Sequence, residues 1–232
     1  MKIKALFISD VHLGSKGSQA KNLLDVLKKY KPEELFIVGD FIDGWLLKKR
    51  HYWNQDFTNV IRKILSYTKR GTRVTYITGN HDDFLRPYVP TSLGKNLRVE
   101  DEVTWNGYFI THGDLYDGVV KLKWLGVLGS YGYEFAIGID IFLRKLGYKT
   151  SLSNFLKRKV KRAVKFITSY ERQLAYQAIL NNCHGVICGH IHKPSDKSIV
   201  VKDKNIHYLN CGDWIENNSY IIFNDGEFKL YE

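Results

Sequence analysis

Five short polar clusters follow one another along the chain. They are Asp10-Val11-His12, Gly39-Asp40-Phe41-Ile42-Asp43, Gly79-Asn80-His81-Asp82, Thr111-His112-Gly113-Asp114 and Cys188-Gly189-His190-Ile191-His192. Imidazole nitrogens with carboxylate and amide oxygens suit Mn²⁺, Fe, Zn²⁺ or Co²⁺ better than Ca²⁺. Two such ions ~3.5–4 Å apart need a bridging ligand, and one carboxylate can supply it. Two charges of +2 against two ligating aspartates leave a net positive site, which a bridging hydroxide and an anionic phosphate would complete. Each cluster alone has a plainer reading: Asp-x-His matches by chance, and Gly-Asp or Gly-Asn-His-Asp after a strand can be only a turn. Five in order are hard to assign to chance. His51, His184 and His207 stand outside the clusters and are read as structural.

Each cluster follows an apolar run. Residues 3–8, Leu35–Val38, Val74–Ile77, Tyr108–Ile110 and Gly185–Cys188 read as buried strands. Helical patterns run from Ser18 to Tyr30 and from Asn54 to Arg70, the second stopped by Gly71. Strand–helix–strand alternation predicts an α/β core with parallel strands. Residues 197–201, 206–209, 219–223 and 227–231 predict a mixed or antiparallel second sheet, with turns at Asp203-Lys204-Asn205 and Asn224-Asp225-Gly226. In open α/β sheets ligands bind beyond the carboxyl ends of strands, which gathers the clusters onto one rim. Extended backbone between Asp10 and His12, and between His190 and His192, is expected to aim each pair one way.

The stretch 116–182 lacks strand signals and reads as an inserted helical cap. Ser151 and Ser153 are candidate helix caps. Leu156, Val160, Ala163, Ile167, Tyr170, Leu174 and Ala178 form an apolar stripe, with Lys157, Arg158, Lys161, Arg162 and Lys165 off it. Residues 135–143 are apolar nearly all round and must be buried in protein, lipid or a ligand. The cap holds twelve Lys and Arg against four Asp and Glu, so +8 of the net +11 lies there. Such a patch favours anionic partners, although a solvated helix surface explains it equally well. Hydrophobic residues make up 44% of the 232, which argues against disorder. No apolar run approaches the ~18 residues of a membrane-spanning helix. The polar motif at Ser9-Asp10 leaves no room for a signal peptide, and three cysteines without ligand spacing read as reduced thiols of a cytosolic protein.

The order of the clusters resembles the calcineurin-like metallophosphoesterase superfamily. That resemblance implies a two-sheet α/β sandwich flanked by helices, with the cap inserted in a single domain over 1–232. Residue by residue, it implies one divalent ion on Asp10, His12 and His192. The other would sit on Asn80, His112 and His190, with Asp40 bridging. His81 would face the phosphate and Asp43 would orient His81. Within the superfamily, Ser9-Asp10-Val11-His12-Leu13-Gly14, Gly39–Trp45, Gly79–Leu85, His112-Gly113-Asp114 and Cys188–Lys193 are most similar to the UDP-2,3-diacylglucosamine pyrophosphatases. Members of that family use Mn²⁺ at the cytoplasmic membrane face to release UMP and 2,3-diacylglucosamine 1-phosphate in lipid A biosynthesis. The best-known branch carries Arg where this chain has His81, and Asn210–Glu216 looks like a sister branch. On this reading Trp45, Phe84, Trp124, Phe135 and Ile141 are candidate substrate contacts, and Lys157, Lys161 and Lys165 meet diphosphate or lipid headgroups. The competing expectations are another phosphodiesterase or nuclease on the same core, and a binding module without activity. Every metal position is filled, which disfavours the module. The cap's aromatics cluster with aliphatic residues, unlike the spaced stacking residues of a nucleic-acid groove.

Overall fold

The computed structural model describes residues 1–117 and 152–232, with side chains described outside 152–165. The chain divides into two compact units, Met1–Leu115 with Leu174–Glu232, and Tyr116–Gln173. The first unit holds two mixed sheets. One is seven-stranded, built from β1 (Lys2–Ile8), β2 (Lys31–Val38), β3 (Arg73–Ile77), β4 (Thr91–Ser92), β5 (Leu97–Glu100), β11 (Tyr220–Asn224) and β12 (Glu227–Tyr231), in the order β12-β11-β1-β2-β3-β5-β4. The other is five-stranded, with β6 (Glu102–Trp105), β7 (Tyr108–Thr111), β8 (Gly185–Cys188), β9 (Ser195–Val201) and β10 (Lys204–Asn210) in the order β6-β7-β8-β10-β9. Within the first, β1, β2, β3 and β5 run parallel. Within the second, β7, β8 and β10 do.

Period-two alternation explains the layers. In β1 and β2, Leu6, Ile8, Leu35 and Ile37 join the core beneath helices α1 (Ala20–Lys29) and α3 (Gln55–Lys69). Their neighbours Ala5, Phe7, Phe36 and Val38 join Ile110, Ile187 and Leu209 of the five-stranded sheet in a second core. Both faces of β1 and β2 are therefore buried, which is why these strands read as unbroken apolar runs.

Local chemistry sets the element ends. Asn54 caps α3 by accepting from Phe57 N at 2.9 Å, and Gly71 takes the left-handed φ of +93° just past its end. Helix α1 begins at Ala20 rather than Ser18, because the Ser18 hydroxyl donates to Val11 O at 2.6 Å instead of capping. The turn before β10 is Lys202-Asp203, one residue earlier than expected, with both φ values positive as a two-residue hairpin requires. Ser153 lies inside the helix Leu152–Leu180, so it is not the residue that precedes it; Ser151 is outside the described residues. Of the apolar stripe on that helix, Tyr170, Leu174 and Ala178 are buried and Ile167 is half-buried. The pattern failed to signal α2 (Gly44–Lys49), β4, β5 and β6, all of six residues or fewer.

Candidate metal centre

The five clusters lie immediately beyond the carboxyl ends of β1, β2, β3, β7 and β8, all parallel strands of the two sheets. Backbone bonds continue past the strand ends and lock the loops together. Asp10 N donates to Gly39 O at 3.1 Å, His12 N to Asp40 O at 2.9 Å and Gly189 N to His112 O at 3.3 Å. The expected extended pairs are not extended. Asp10, His12, Asp40, His190 and His192 all have positive φ, between 50° and 70°. Each side chain is aimed by a left-handed kink, not by strand alternation. Such residues cost of order 1–3 kcal/mol each and persist only where the surroundings hold them. Asp and His tolerate that region better than most residues.

The motif glycines have a steric reason. A Cβ on Gly39 would overlap the His112 ring, one on Gly79 would overlap Asp40, and one on Gly189 would overlap the Asp10 carboxylate. Each glycine thus makes room for a side chain supplied by a different strand.

Asp40 lies at the centre. Its Oδ2 is 3.3 Å from His112 Nε2 on one side and 3.9 Å from His12 Nε2 on the other, while its Oδ1 accepts from His81 N at 2.7 Å. Asp10 Oδ1 is 3.1 Å from His192 Nε2 and 3.9 Å from His12 Nε2, and its Oδ2 accepts from His190 N at 3.0 Å. Donor atoms of Asp10, His12 and His192 lie within 4.8 Å of one another, as do those of Asp10, Asp40 and His112. Asn80 is buried on its loop, and the His190 ring centroid is 5.2 Å from that of His112.

The residues fit divalent cations. Asp10 Oδ1 is buried and meets only the His192 ring nitrogen at 3.1 Å, outside good hydrogen-bond geometry, and a cation would satisfy this carboxylate oxygen better. Without ions, His112 and His192 are the rings pushed toward the charged form. Burial opposes it, yet Asp40 and Asp10 push His112 up to about 10. Against the same burial, Asp10, Asp213 and Asp40 push His192 up to about 9, although its side chain is 39% exposed and water screens part of that effect. Burial would raise the Asp40 carboxyl, but His112, His12 and His81 hold it well below the usual carboxylate range.

Around the donors, the far ring nitrogens are also engaged. Asp43 Oδ2 is 3.2 Å from His12 Nδ1 and its Oδ1 is 3.1 Å from His81 Nδ1. Asp43 also caps α2, accepting from Leu46 N at 2.9 Å. The family resemblance paired Asp43 with His81 alone; the contact with His12 is a finding of the fold. His112 Nδ1 is 2.9 Å from Val38 O. Asp82, buried, accepts from Phe41 N at 2.9 Å, from Tyr76 Oη at 2.7 Å and from Gly79 N, so it ties the Asp40 loop to the Asn80 loop. Arg86 donates through Nη2 to both oxygens of Asp114 at 2.9 Å, bracing the segment after Asn80 against the His112 loop. Sequence reasoning missed these braces, although Asp82 and Asp114 stand in the motifs themselves.

Of the candidate substrate contacts, Trp45 faces His81 with ring centroids 4.3 Å apart, and Phe84 is 39% exposed beside Gly44. Trp124, Phe135 and Ile141 lie outside the described residues. So do the side chains of Lys157, Lys161 and Lys165, whose backbone is helical. His207 lies apart from the centre, between Tyr108 Oη and Asp196 Oδ1 at 2.8 Å each. The three cysteines are buried thiols. Among the described residues no helix is long and apolar enough to cross a membrane.

Residues 3–194 match the calcineurin-like phosphoesterase family. A UDP-2,3-diacylglucosamine hydrolase of Porphyromonas gingivalis is 24% identical, with 100% of this chain and 98% of that protein aligned. One from Psychromonas ingrahamii is 26% identical over 98% of this chain and 96% of that protein. A dimetal phosphatase from Danio rerio shares 13% identity over 97% of this chain and 94% of that one, with a TM-score of 0.48.

Proposed function

The chain belongs to the calcineurin-like phosphoesterase family, and from that premise we propose that this metal-dependent phosphohydrolase cleaves UDP-2,3-diacylglucosamine to UMP and 2,3-diacylglucosamine 1-phosphate. The observation that carries the chemistry is the place of Asp40 Oδ2, between a donor group on the His12 side and one on the His112 side. On this reading Asp10, His12 and His192 would hold one ion and Asn80, His112 and His190 the other, with Asp40 placed to serve both. The ions, Mn²⁺ in this proposal, supply Lewis acidity and charge compensation at phosphorus when bound.

The protein's own groups do the rest. His81 stands at the edge of the donor cluster, 24% exposed, where its imidazole can give a proton to the leaving oxygen or stabilise charge on the transferred phosphoryl. Asp43 holds the ring through Nδ1 and Trp45 covers its face. The substrate is supported by end-to-end alignment with relatives named UDP-2,3-diacylglucosamine hydrolase. The +8 charge and the apolar run of the cap are compatible with a diphosphate carrying acyl chains, and with peripheral attachment to the inner face of the cytoplasmic membrane.

The test is a hydrolysis panel with Mn²⁺: UDP-2,3-diacylglucosamine, bis-p-nitrophenyl phosphate and single-stranded DNA. Release of UMP from the first, at far higher kcat/KM than turnover of the others, is the expected result. Preference for DNA or for the small diester overturns the assigned substrate.

A further inference from the structure

The segment Asn210-Cys211-Gly212-Asp213-Trp214-Ile215-Glu216 supplies no metal donor named above, yet it leaves the end of β10, which runs parallel to β8. Its turn is built around one carboxylate. Asp213 is 1% exposed, and its Oδ1 accepts from Ile215 N at 2.7 Å, Glu216 N at 2.6 Å and Asn217 N at 3.3 Å. Its Oδ2 accepts from Asn217 Nδ2 at 2.7 Å and lies 3.7 Å from His192 Nδ1. Asn217 Nδ2 also donates to His192 O at 2.9 Å. The same turn reaches Asp10, because Trp214 N donates to Asp10 O at 3.0 Å and Ser9 Oγ to Gly212 O at 2.8 Å.

His192 needs such support. Its side chain is 39% exposed and its φ is +54°, so neither core packing nor backbone preference fixes the ring. Three other rings at this centre are backed at Nδ1: His12 and His81 by Asp43, His112 by Val38 O. A ligating histidine whose far nitrogen meets a carboxylate or carbonyl keeps one tautomer and one orientation, and losing that partner typically weakens metal binding about 10–100-fold.

We propose that Asp213 and Asn217 are positioning residues for His192. Asp213 faces the ring at Nδ1 and Asn217 clamps its carbonyl, so that Nε2 stays turned toward Asp10 Oδ1. The inference rests on the two-ion reading of the centre. Asp213→Asn keeps the turn's main support: Oδ1 survives to accept the three turn amides, while an amide NH₂ replaces the oxygen that faces His192 Nδ1 and accepts from Asn217 Nδ2.

The experiment titrates metal-free parent and variant with Co²⁺ by calorimetry, recording the visible absorption of the bound ion and the thermal midpoint of the metal-free proteins. The parent is expected to bind two ions. Asp213→Asn is expected to bind one with parental affinity and the other about 10–100-fold more weakly, with an altered spectrum, in a metal-free protein that still unfolds in one cooperative transition. Asn217→Ala, which leaves the Asp213 carboxylate in place, should shift the same ion less. Two ions at parental affinity in both variants overturn the proposal, and so does equal weakening of both ions. A parent that binds no Co²⁺ overturns the two-ion reading, and this inference with it.

Discussion

Replacing Asp43 by Asn probes a single carboxylate that makes three contacts. Oδ1 accepts from Leu46 N and faces His81 Nδ1, and Oδ2 faces His12 Nδ1. Burial would raise this carboxyl, but the bonds from His12, His81 and Leu46 hold it below the usual range, so the parent presents a carboxylate to both rings. Asn is as good an N-cap as Asp, so α2 should survive. The amide has one oxygen. If that oxygen keeps Leu46 N and His81, an NH₂ group confronts His12 Nδ1 and favours the tautomer that turns a proton toward the metal side. Loss of such a partner is worth about 10–100-fold in metal affinity, or roughly 1.4–2.7 kcal/mol at 1.36 kcal/mol per decade. Orientation of His81 is retained on this account, so saturating Mn²⁺ should restore much of the activity. The assay is kcat/KM against Mn²⁺ concentration, with calorimetric metal affinity measured in parallel. Parental metal affinity with activity that no metal concentration restores would refute the shared role and leave Asp43 serving His81 alone.

Asp40→Ala should lose both ions, as metal analysis of the purified protein will show; retention of two ions per chain rules out a bridging role. His81→Ala should keep its metals and lose about 10²–10⁴-fold in turnover, whereas parallel loss of metal would make His81 a ligand. Gly79→Ala drives a methyl into Asp40 and its backbone nitrogen, so it should lower stability by about 1–3 kcal/mol and reduce metal content, read by denaturant melts and metal analysis. In the metal-free protein, His112 and His192 titrate near 10 and 9 against an ordinary 6.5. Their contribution to folding is therefore complete below about 6.5 and is lost as pH rises through 9 to 10. Thermal midpoints of metal-free protein should fall over that window, while ion binding, which displaces the same protons, should strengthen from pH 6 upward and release protons measurable in weak buffer.

The clusters were legible because ligand chemistry leaves few choices. His, Asp and Asn in set positions after apolar runs identify donors, and the strand-end rule places them on one rim without coordinates. The strands β1, β2, β3, β7 and β8 were legible for the same reason that they are buried: two covered faces demand unbroken apolar runs. What neighbours a residue across the fold leaves no such trace. That Asp43 serves both His12 and His81, that Asp82 ties two loops, and that Asp213 stands behind His192 all depend on contacts between segments far apart in sequence. The direction of each donor was also invisible. Alternation along an extended chain predicted it, but left-handed kinks at Asp10, His12, Asp40, His190 and His192 set it, held by bonds from neighbouring loops. The glycines before Asp40, Asn80 and His190 are plain in the sequence, yet their reason is tertiary: each leaves the space that a side chain from another strand fills. Sequence determines which atoms can bind a metal, because that is a property of each side chain. Only the tertiary structure decides where they point, because a few kcal/mol of local strain is overruled by hydrogen bonds that exist only once the strands are side by side.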